Sequence, residues 1–233
     1  MTAQQKTVLI TGAAGHLGAA VASAFQQRGA RLLLLDRDEA ALQRRFGAMT
    51  GAERIAVDLL DRAQVAERVG EALARVGPID VLCHVAGGFR MGQKVHDTSG
   101  ATWDFLLGLN AGSLLNIAAA VVPHMLAQGS GAIVTVGAAA ALKGGADMGA
   151  YAASKAALIR LTESMSAELR DQGIRVNCVL PSIIDTPDNR AAMPEADASR
   201  WVAPEALADV IAFLASDAAR AIHGAAIPVT GRV

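Results

Sequence analysis

The run Lys6 to Gly18, K-T-V-L-I-T-G-A-A-G-H-L-G, decides how the rest of the chain is read. Lys6 to Thr11 is a short, β-branched apolar strand, and a helical pattern follows the glycines as far as Arg28. Between them Gly12 permits a tight turn, Gly15 lets the backbone approach a pyrophosphate, and Gly18 lets helix and strand pack closely. The helix N-terminus offers unpaired backbone N–H groups to the phosphates, and His16 and Leu17 between the glycines join them as cofactor-binding candidates. Strand, glycine turn and helix in this order make a dinucleotide site. Its spacing, T-G-x-x-x-G-x-G, is one residue longer than the common G-x-G-x-x-G.

Working outward, Arg31 to Leu35 reads as a second strand ending at Asp36. A carboxylate there accepts from adenosine ribose hydroxyls and repels a 2′-phosphate, which favours NAD(H); Arg37 beside it leaves NADP(H) open. The competing reading is that Asp36 caps the helix that follows. Arg54 to Val57 is a third strand, and Asp58 and Leu59 after it are placed to meet an adenine. A helix from Asp61 to Val76 closes at Gly77-Pro78, and Ile79 to Cys83 is the fourth strand, leading into H-V-A-G-G-F at His84 to Phe89. Ala101 to Leu126 reads as one long helix with Asn110 in apolar surroundings, where its amide needs partners. Ile133 to Val136, Ile174 to Leu180 and Ala225 to Val229 complete the strands. A helix carrying Tyr151 runs to about Gln172, and another spans Pro204 to Ser216. Residues 182–201 read as a polar, irregular flap over the strand ends. Strands alternating with helices predict an α/β fold, a doubly wound parallel sheet with helices on both faces, as one domain over residues 1–233.

Bulk properties narrow the function class. About half of the 233 residues are apolar and the formal net charge is -1, so charge suggests neither nucleic acid nor an anionic membrane surface as partner. Cys83 and Cys178 lie in apolar strands without metal-binding spacing; they read as core thiols in a reducing compartment, and no metal site is expected. The N-terminus lacks a signal-peptide pattern, which gives a cytoplasmic expectation. No Asp, Glu, Lys or Arg occurs between Asp104 and Lys143, yet Asn110, Asn116, Pro123 and Gln128 to Gly131 are expected to break the stretch below membrane-spanning length. Its apolar faces, together with those of the Tyr151 helix, predict a homo-oligomer.

Y-A-A-S-K at Tyr151 to Lys155 carries the chemistry. On a helix, the phenol and the ammonium project from one face and act on one small volume. Tyr151 is the only tyrosine in the chain, so a phenol-based mechanism has a single candidate.

Together these motifs resemble the short-chain dehydrogenase/reductase family over essentially the whole chain. The matching residues are Thr11 to Gly18, Asp36, Asp58, Ala86-Gly87, Asn110, Tyr151 to Lys155, and the P-x-x-I-x-T pattern of Pro181, Ile184 and Thr186. The resemblance implies a Rossmann-type sheet of about seven strands and hydride transfer between a nicotinamide and a small substrate. It implies Tyr151 as proton donor, Lys155 as binder of the nicotinamide ribose that lowers the phenol pKa, and Asn110 as holder of a water in the proton path. Two departures stand out. The family's serine, 13 residues before the tyrosine, is Ala138 here, with Thr135 or Ser182 as candidate substitutes, and the usual N-N-A-G reads H-V-A-G at His84 to Gly87.

Several stretches are similar to the quinonoid dihydropteridine reductases, which keep the tyrosine and lysine and carry alanine for the serine. These are A-G-G-F at Ala86 to Phe89, G-A-A-A-A-L-K-G at Gly137 to Gly144, and D-T-P-x-N-R-x-x-M-P-E-A-D from Asp185. That resemblance implies a flat bicyclic substrate near Phe89, Ala138, Met193 and Trp201, with Phe89 stacked on it. The alternatives are a 3-oxoacyl or general carbonyl reductase with a substitute hydroxyl, and a non-catalytic NAD-binding regulatory subunit.

Overall fold

The computed structural model describes residues 5–233. Seven strands form one parallel sheet: β1 (Thr7–Thr11), β2 (Arg31–Asp36), β3 (Ala52–Ala56), β4 (Val81–His84), β5 (Gly131–Val136), β6 (Ile174–Pro181) and β7 (Ala226–Val229), in the order β3-β2-β1-β4-β5-β6-β7. Each strand end lies within two residues of its position in the sequence reading. The order reverses between β1 and β4, and at such a switch point a crevice opens beyond the carboxyl ends of the strands.

Strand alternation divides the core into two layers. Val8, Ile10, Leu32, Leu34, Val134 and Val136 face helices α1 (His16–Gln27), α2 (Glu39–Phe46) and α8 (Pro204–Ala215). Leu9, Leu33, Leu35, Leu82 and Ile133 face the other side, covered by α3 (Arg62–Val76), α5 (Ser113–Gln128) and α6 (Gly149–Leu169). The four leucines of β2 are buried on both faces, each worth about 1.5–3 kcal/mol. No polar residue would be tolerated inside that strand without a partner, which is why it reads as an unbroken apolar run.

The stretch taken as one helix from Ala101 is α4 (Gly100–Leu107), a π-helical turn at Gly108–Gly112, then α5. Pro123 does not end it: the helical run Gly100–Gln128 is continuous over 29 residues, long and apolar enough by composition to cross a membrane. In this structure Leu114, Ile117, Val121 and Met125 lie against the sheet. The flap is also more regular than expected. Thr186 caps α7 (Pro187–Ala192) by accepting from Asn189 N at 3.2 Å, with Pro187 preset for the first helical turn, and a 3₁₀ turn follows at Ala198–Arg200. The Tyr151 helix ends at Leu169 and tightens into a 3₁₀ turn over Arg170–Gln172.

Candidate active site

The glycine turn joins β1 to α1 at the switch point. Gly12 has φ +64°, and a Cβ there would meet Ala86 Cα at 2.8 Å, so the turn and the strand-end residue Ala86 touch only because no side chain separates them. A Cβ on Gly18 would strike the Gly12 carbonyl oxygen. Helix α1 begins after Gly15 with no side-chain cap and no acidic residue in its first turn. Its first-turn N–H groups, at His16, Leu17 and Gly18, therefore face the crevice with their partial positive charge uncompensated, as a bound pyrophosphate requires. The residues present fit a dinucleotide.

Asp36 ends β2 beside this turn, its Oδ2 accepting from Ala14 N at 3.0 Å and its Oδ1 from Asp38 N at 3.2 Å. Asp38, not Asp36, caps α2, accepting from Ala41 N at 2.9 Å. Asp58 accepts from Leu60 N at 2.9 Å, and the Leu59 carbonyl accepts from Asn116 Nδ2 at 2.8 Å, which fixes the rim beyond β3. On the other flank Pro181 closes β6, Ile184 pairs with Val202, and Thr186 opens α7. His16 and Asp188 approach to 4.0 Å across the crevice, between α1 and α7.

The candidate catalytic pair, Tyr151 and Lys155, lies on the first turns of α6. Lys155 is buried and donates from Nζ to the Val136 carbonyl at 2.8 Å, at the carboxyl end of β5. Loss of water lowers its ammonium to about 8, opposed weakly by the nearby Cys178. Burial pushes the Tyr151 phenol up to about 12. The resemblance implies a phenol acidified by Lys155, whereas burial alone moves the phenol in the other direction. Among the described residues no group hydrogen-bonds the phenol oxygen, and Phe89, half exposed, meets the Tyr151 ring edge-on with centroids 4.8 Å apart.

Asn110 is fully buried and bonded on every side-chain group. Its Oδ1 accepts from Gly88 N at 2.8 Å, and its Nδ2 donates to Gly88 O at 3.0 Å and to Ser154 Oγ at 2.9 Å. Ser154 in turn donates to the Tyr151 carbonyl at 2.8 Å. With both amide protons committed, the side chain is a clamp between the β4 loop and α6. A Cβ on Gly87 would lie 2.8 Å from Lys155 Nζ and 2.9 Å from Asn110 Oδ1, so Gly87 is the floor on which these groups converge.

Ala138 is buried in extended backbone at the start of a 3₁₀ turn of alanines, Ala139–Ala141. Neither proposed substitute hydroxyl reaches this point. Thr135 is fully buried and bonded to Thr162 Oγ1 at 2.9 Å, and Ser182 donates to Thr230 O at 2.8 Å. Trp201 is buried near Gly231, Met193 ends α7, and no hydrogen bond or ring contact links either to Tyr151 among the described residues. Sequence reasoning quoted Thr11 and Ser154 inside motifs without giving either a role, and it missed Ser113. It also missed a cavity of about 290 Å³ beside Ala150, lined by Arg90, Met91, Gln93, Asp147 and Met148. Asp147 is a non-glycine residue at φ +59°, a local strain signal visible only in three dimensions. The histidine His84 is in the core, as a strand-end residue, and burial lowers it to about 3, with the Lys155 charge adding to the effect.

Known proteins are similar to this chain in sequence and fold. The family model described as enoyl-(acyl carrier protein) reductase matches residues 12–231. A 3-oxoacyl-(acyl-carrier-protein) reductase of Thermotoga maritima is 32% identical over 243 residues, covering 99% of this chain and 98% of that protein. A D-threitol dehydrogenase of Mycolicibacterium smegmatis is 34% identical over 239 residues, covering 97% and 92%. The crystal structure of a 3-ketoacyl-(acyl-carrier-protein) reductase from Brucella melitensis complexed with NADH superimposes with a TM-score of 0.89 at 29% identity, covering 97% of this chain and 98% of that one. With the glycine turn at the switch point, and Tyr151 and Lys155 on one helix at the strand ends, the chain belongs to the short-chain dehydrogenase/reductase family.

Proposed function

We propose that this protein transfers hydride between NAD(H) and a small carbonyl compound, with Tyr151 giving the proton in reduction. The observation that carries the reading is the Tyr151 phenol, which no group among the described residues hydrogen-bonds, one helical turn from the buried Lys155 ammonium that lies over Gly87. The nicotinamide supplies the hydride. Gly12, Gly15, His16, Leu17 and Gly18 would hold the pyrophosphate, Asp36 the adenosine ribose, Asp58 and Leu59 the adenine. Ala86, Gly87, Tyr151 and Lys155 would line the nicotinamide ribose, and Pro181, Ile184 and Thr186 its carboxamide side. Asp36 supports NAD(H) over NADP(H), since its carboxylate would face a 2′-phosphate.

Ala138 stands where the family is read to carry a serine. A missing donor at a developing oxyanion costs about 10²–10³ in rate, so a substrate whose carbonyl is already polarised suits the site best. The similarity to acyl-carrier-protein reductases and a polyol dehydrogenase supports a carbonyl or alcohol substrate. A second reading, reduction of a quinonoid dihydropterin, is favoured by the alanine-lined loop and by Phe89 exposed beside Tyr151. Such a ring is electron-poor and gains aromaticity on reduction, so a tyrosine acid alone suffices. The two free, buried thiols support a reducing, cytoplasmic setting, and exposed Trp103, Leu115 and Leu126 on α4 and α5 support a homodimer or homotetramer.

Steady-state kinetics with NADH and NADPH over acetoacetyl thioesters, diketones, polyols and quinonoid dihydropterin test these readings together. Preference for NADH and for carbonyls is the expected result, and a ranking led by dihydropterin selects the second reading. Cofactor binding without turnover on any substrate would overturn both in favour of a regulatory subunit.

A further inference from the structure

His84 occupies the first position of H-V-A-G, where the family carries an amide, and it is fully buried at the end of β4. Both ring nitrogens are bonded: Nδ1 to Thr11 Oγ1 at 3.0 Å and Nε2 to Ser113 Oγ at 3.2 Å. The directions of these bonds follow from counting protons. Ser113 has one hydroxyl proton, and it goes to the Leu109 carbonyl at 2.5 Å, so Ser113 Oγ must accept from His84 Nε2–H. The ring is neutral, so Nδ1 carries no proton and must accept from the Thr11 hydroxyl. Thr11 Oγ1 is then free to accept from Ala86 N–H, which lies 3.2 Å away. Every proton is used once and every acceptor is filled. Reversing any one bond leaves two protons facing each other or none.

The far end of the chain explains what it holds. In the π-helical turn Gly108–Gly112, Ser113 N–H has slipped to the Gly108 carbonyl, which leaves the Leu109 carbonyl without its α-helical donor. The Ser113 hydroxyl replaces that donor. The wider turn carries Asn110, whose amide clamps Gly88 and Ser154 beneath Tyr151. The near end, Thr11 and Ala86, is where β1 passes into the glycine turn.

We propose that His84 is a positioning residue, held as the Nε2–H tautomer in a one-way hydrogen-bond chain, Ala86 N–H to Thr11 to His84 to Ser113 to Leu109 O. This chain braces the π-helical turn and so sets Asn110 and the Tyr151 end of α6 relative to the cofactor turn. Its catalytic consequence rests on Tyr151 being the proton donor, whereas the tautomer does not.

Long-range proton–nitrogen correlation spectra of ¹⁵N-histidine-labelled protein, with the His84 signal assigned by its loss in His84→Asn, read the tautomer without any turnover. Nε2 protonated, Nδ1 bare and no titration between pH 5 and 9 are expected; the opposite tautomer, or a titration in that range, overturns the chain. Kinetics then test the positioning role. His84→Phe keeps the ring volume and removes both bonds, and should lower kcat about tenfold with KM for NADH nearly unchanged. His84→Asn, which restores an amide donor and acceptor, should recover part of that loss. Ser113→Ala cuts the chain without touching the histidine, so it serves if His84→Phe fails to fold. It should match His84→Phe, and the double variant should lose no more than either single one. Wild-type kcat in Ser113→Ala, or additive losses in the double variant, would refute positioning through the chain. A wild-type protein inactive on every substrate but showing the expected tautomer would instead sink the catalytic reading and leave the chain standing.

Discussion

The two flanks of the switch point are built on different principles. From β1 to β3 the crevice is shaped by backbone: a positive φ at Gly12, a Cβ-free contact at Gly18, uncapped N–H groups on α1, and one carboxylate at Asp36. From β4 to α7 it is shaped by side chains bonded to one another and to loops: Asn110 to Gly88 and Ser154, Lys155 to Val136, His84 to Thr11 and Ser113. Family landmarks lie on both flanks, but both departures, His84 and Ala138, fall on the side-chain flank. A site made of backbone admits few sequences, because only glycine fits. A site made of side chains admits substitution wherever another group can complete the same bonds, or where a substrate makes one bond unnecessary.

Removing the acid breaks this contrast most sharply. Tyr151→Phe takes one oxygen from the side-chain flank and nothing from the backbone flank. Turnover should fall by about 10²–10⁴, while NADH binding, followed by fluorescence titration, stays at the wild-type level. Residual activity near wild type would mean that another group supplies the proton. The reciprocal change is Asp36→Ala on the cofactor side. It should leave kcat with NADH nearly intact and shift the kcat/KM ratio toward NADPH by about tenfold, the effect of roughly 1.4 kcal/mol of relieved repulsion. An unchanged cofactor ratio would show that Asp36 serves only to hold Ala14 and Asp38.

What the sequence could and could not show divides along the same line. The sheet, its helices and the glycine turn were legible because period, glycine placement and strand length each act locally. Helix capping is local as well, yet Asp38 rather than Asp36 does it, since the carboxylate must precede the helix by a single residue. Thr135 could have been set aside from strand parity alone: it shares the face of Ile133, under α6, and cannot reach the cleft above the strand ends. Ser182 could not, because its partner Thr230 arrives from β7, nearly fifty residues later in the chain. The clamp at Asn110 was hidden for a further reason: the π-helical turn that orients it has no sequence signature distinct from the helix around it.

Proton release sharpens the comparison further. The proposed reduction needs a protonated Tyr151 phenol and a charged Lys155. The phenol, raised to about 12, keeps its proton throughout the working range. The ammonium, lowered to about 8 by burial, loses its charge first as pH rises. The kcat/KM for carbonyl reduction should therefore be flat below pH 8 and fall about tenfold per pH unit above it, a one-proton limb that belongs to Lys155. A limb displaced to pH 10 or beyond would mean that Lys155 is solvated in the working enzyme.

The smallest effect is expected where the two flanks meet the substrate. Ala138→Ser places a hydroxyl at the start of the alanine turn, which has no side-chain cap. A serine supported by a complete set of neighbours is worth far more than one dropped into a buried position whose surroundings evolved around a methyl group. A rise of only about threefold in ketone kcat/KM is therefore the expected size, well under the 10²–10³ of an established oxyanion donor. The sign matters more than the magnitude. A gain for ketones means the cleft is built for carbonyls and lacks one bond. A loss for every substrate means that the space beside Ala138 is filled by the substrate itself, as a flat bicyclic ring would fill it.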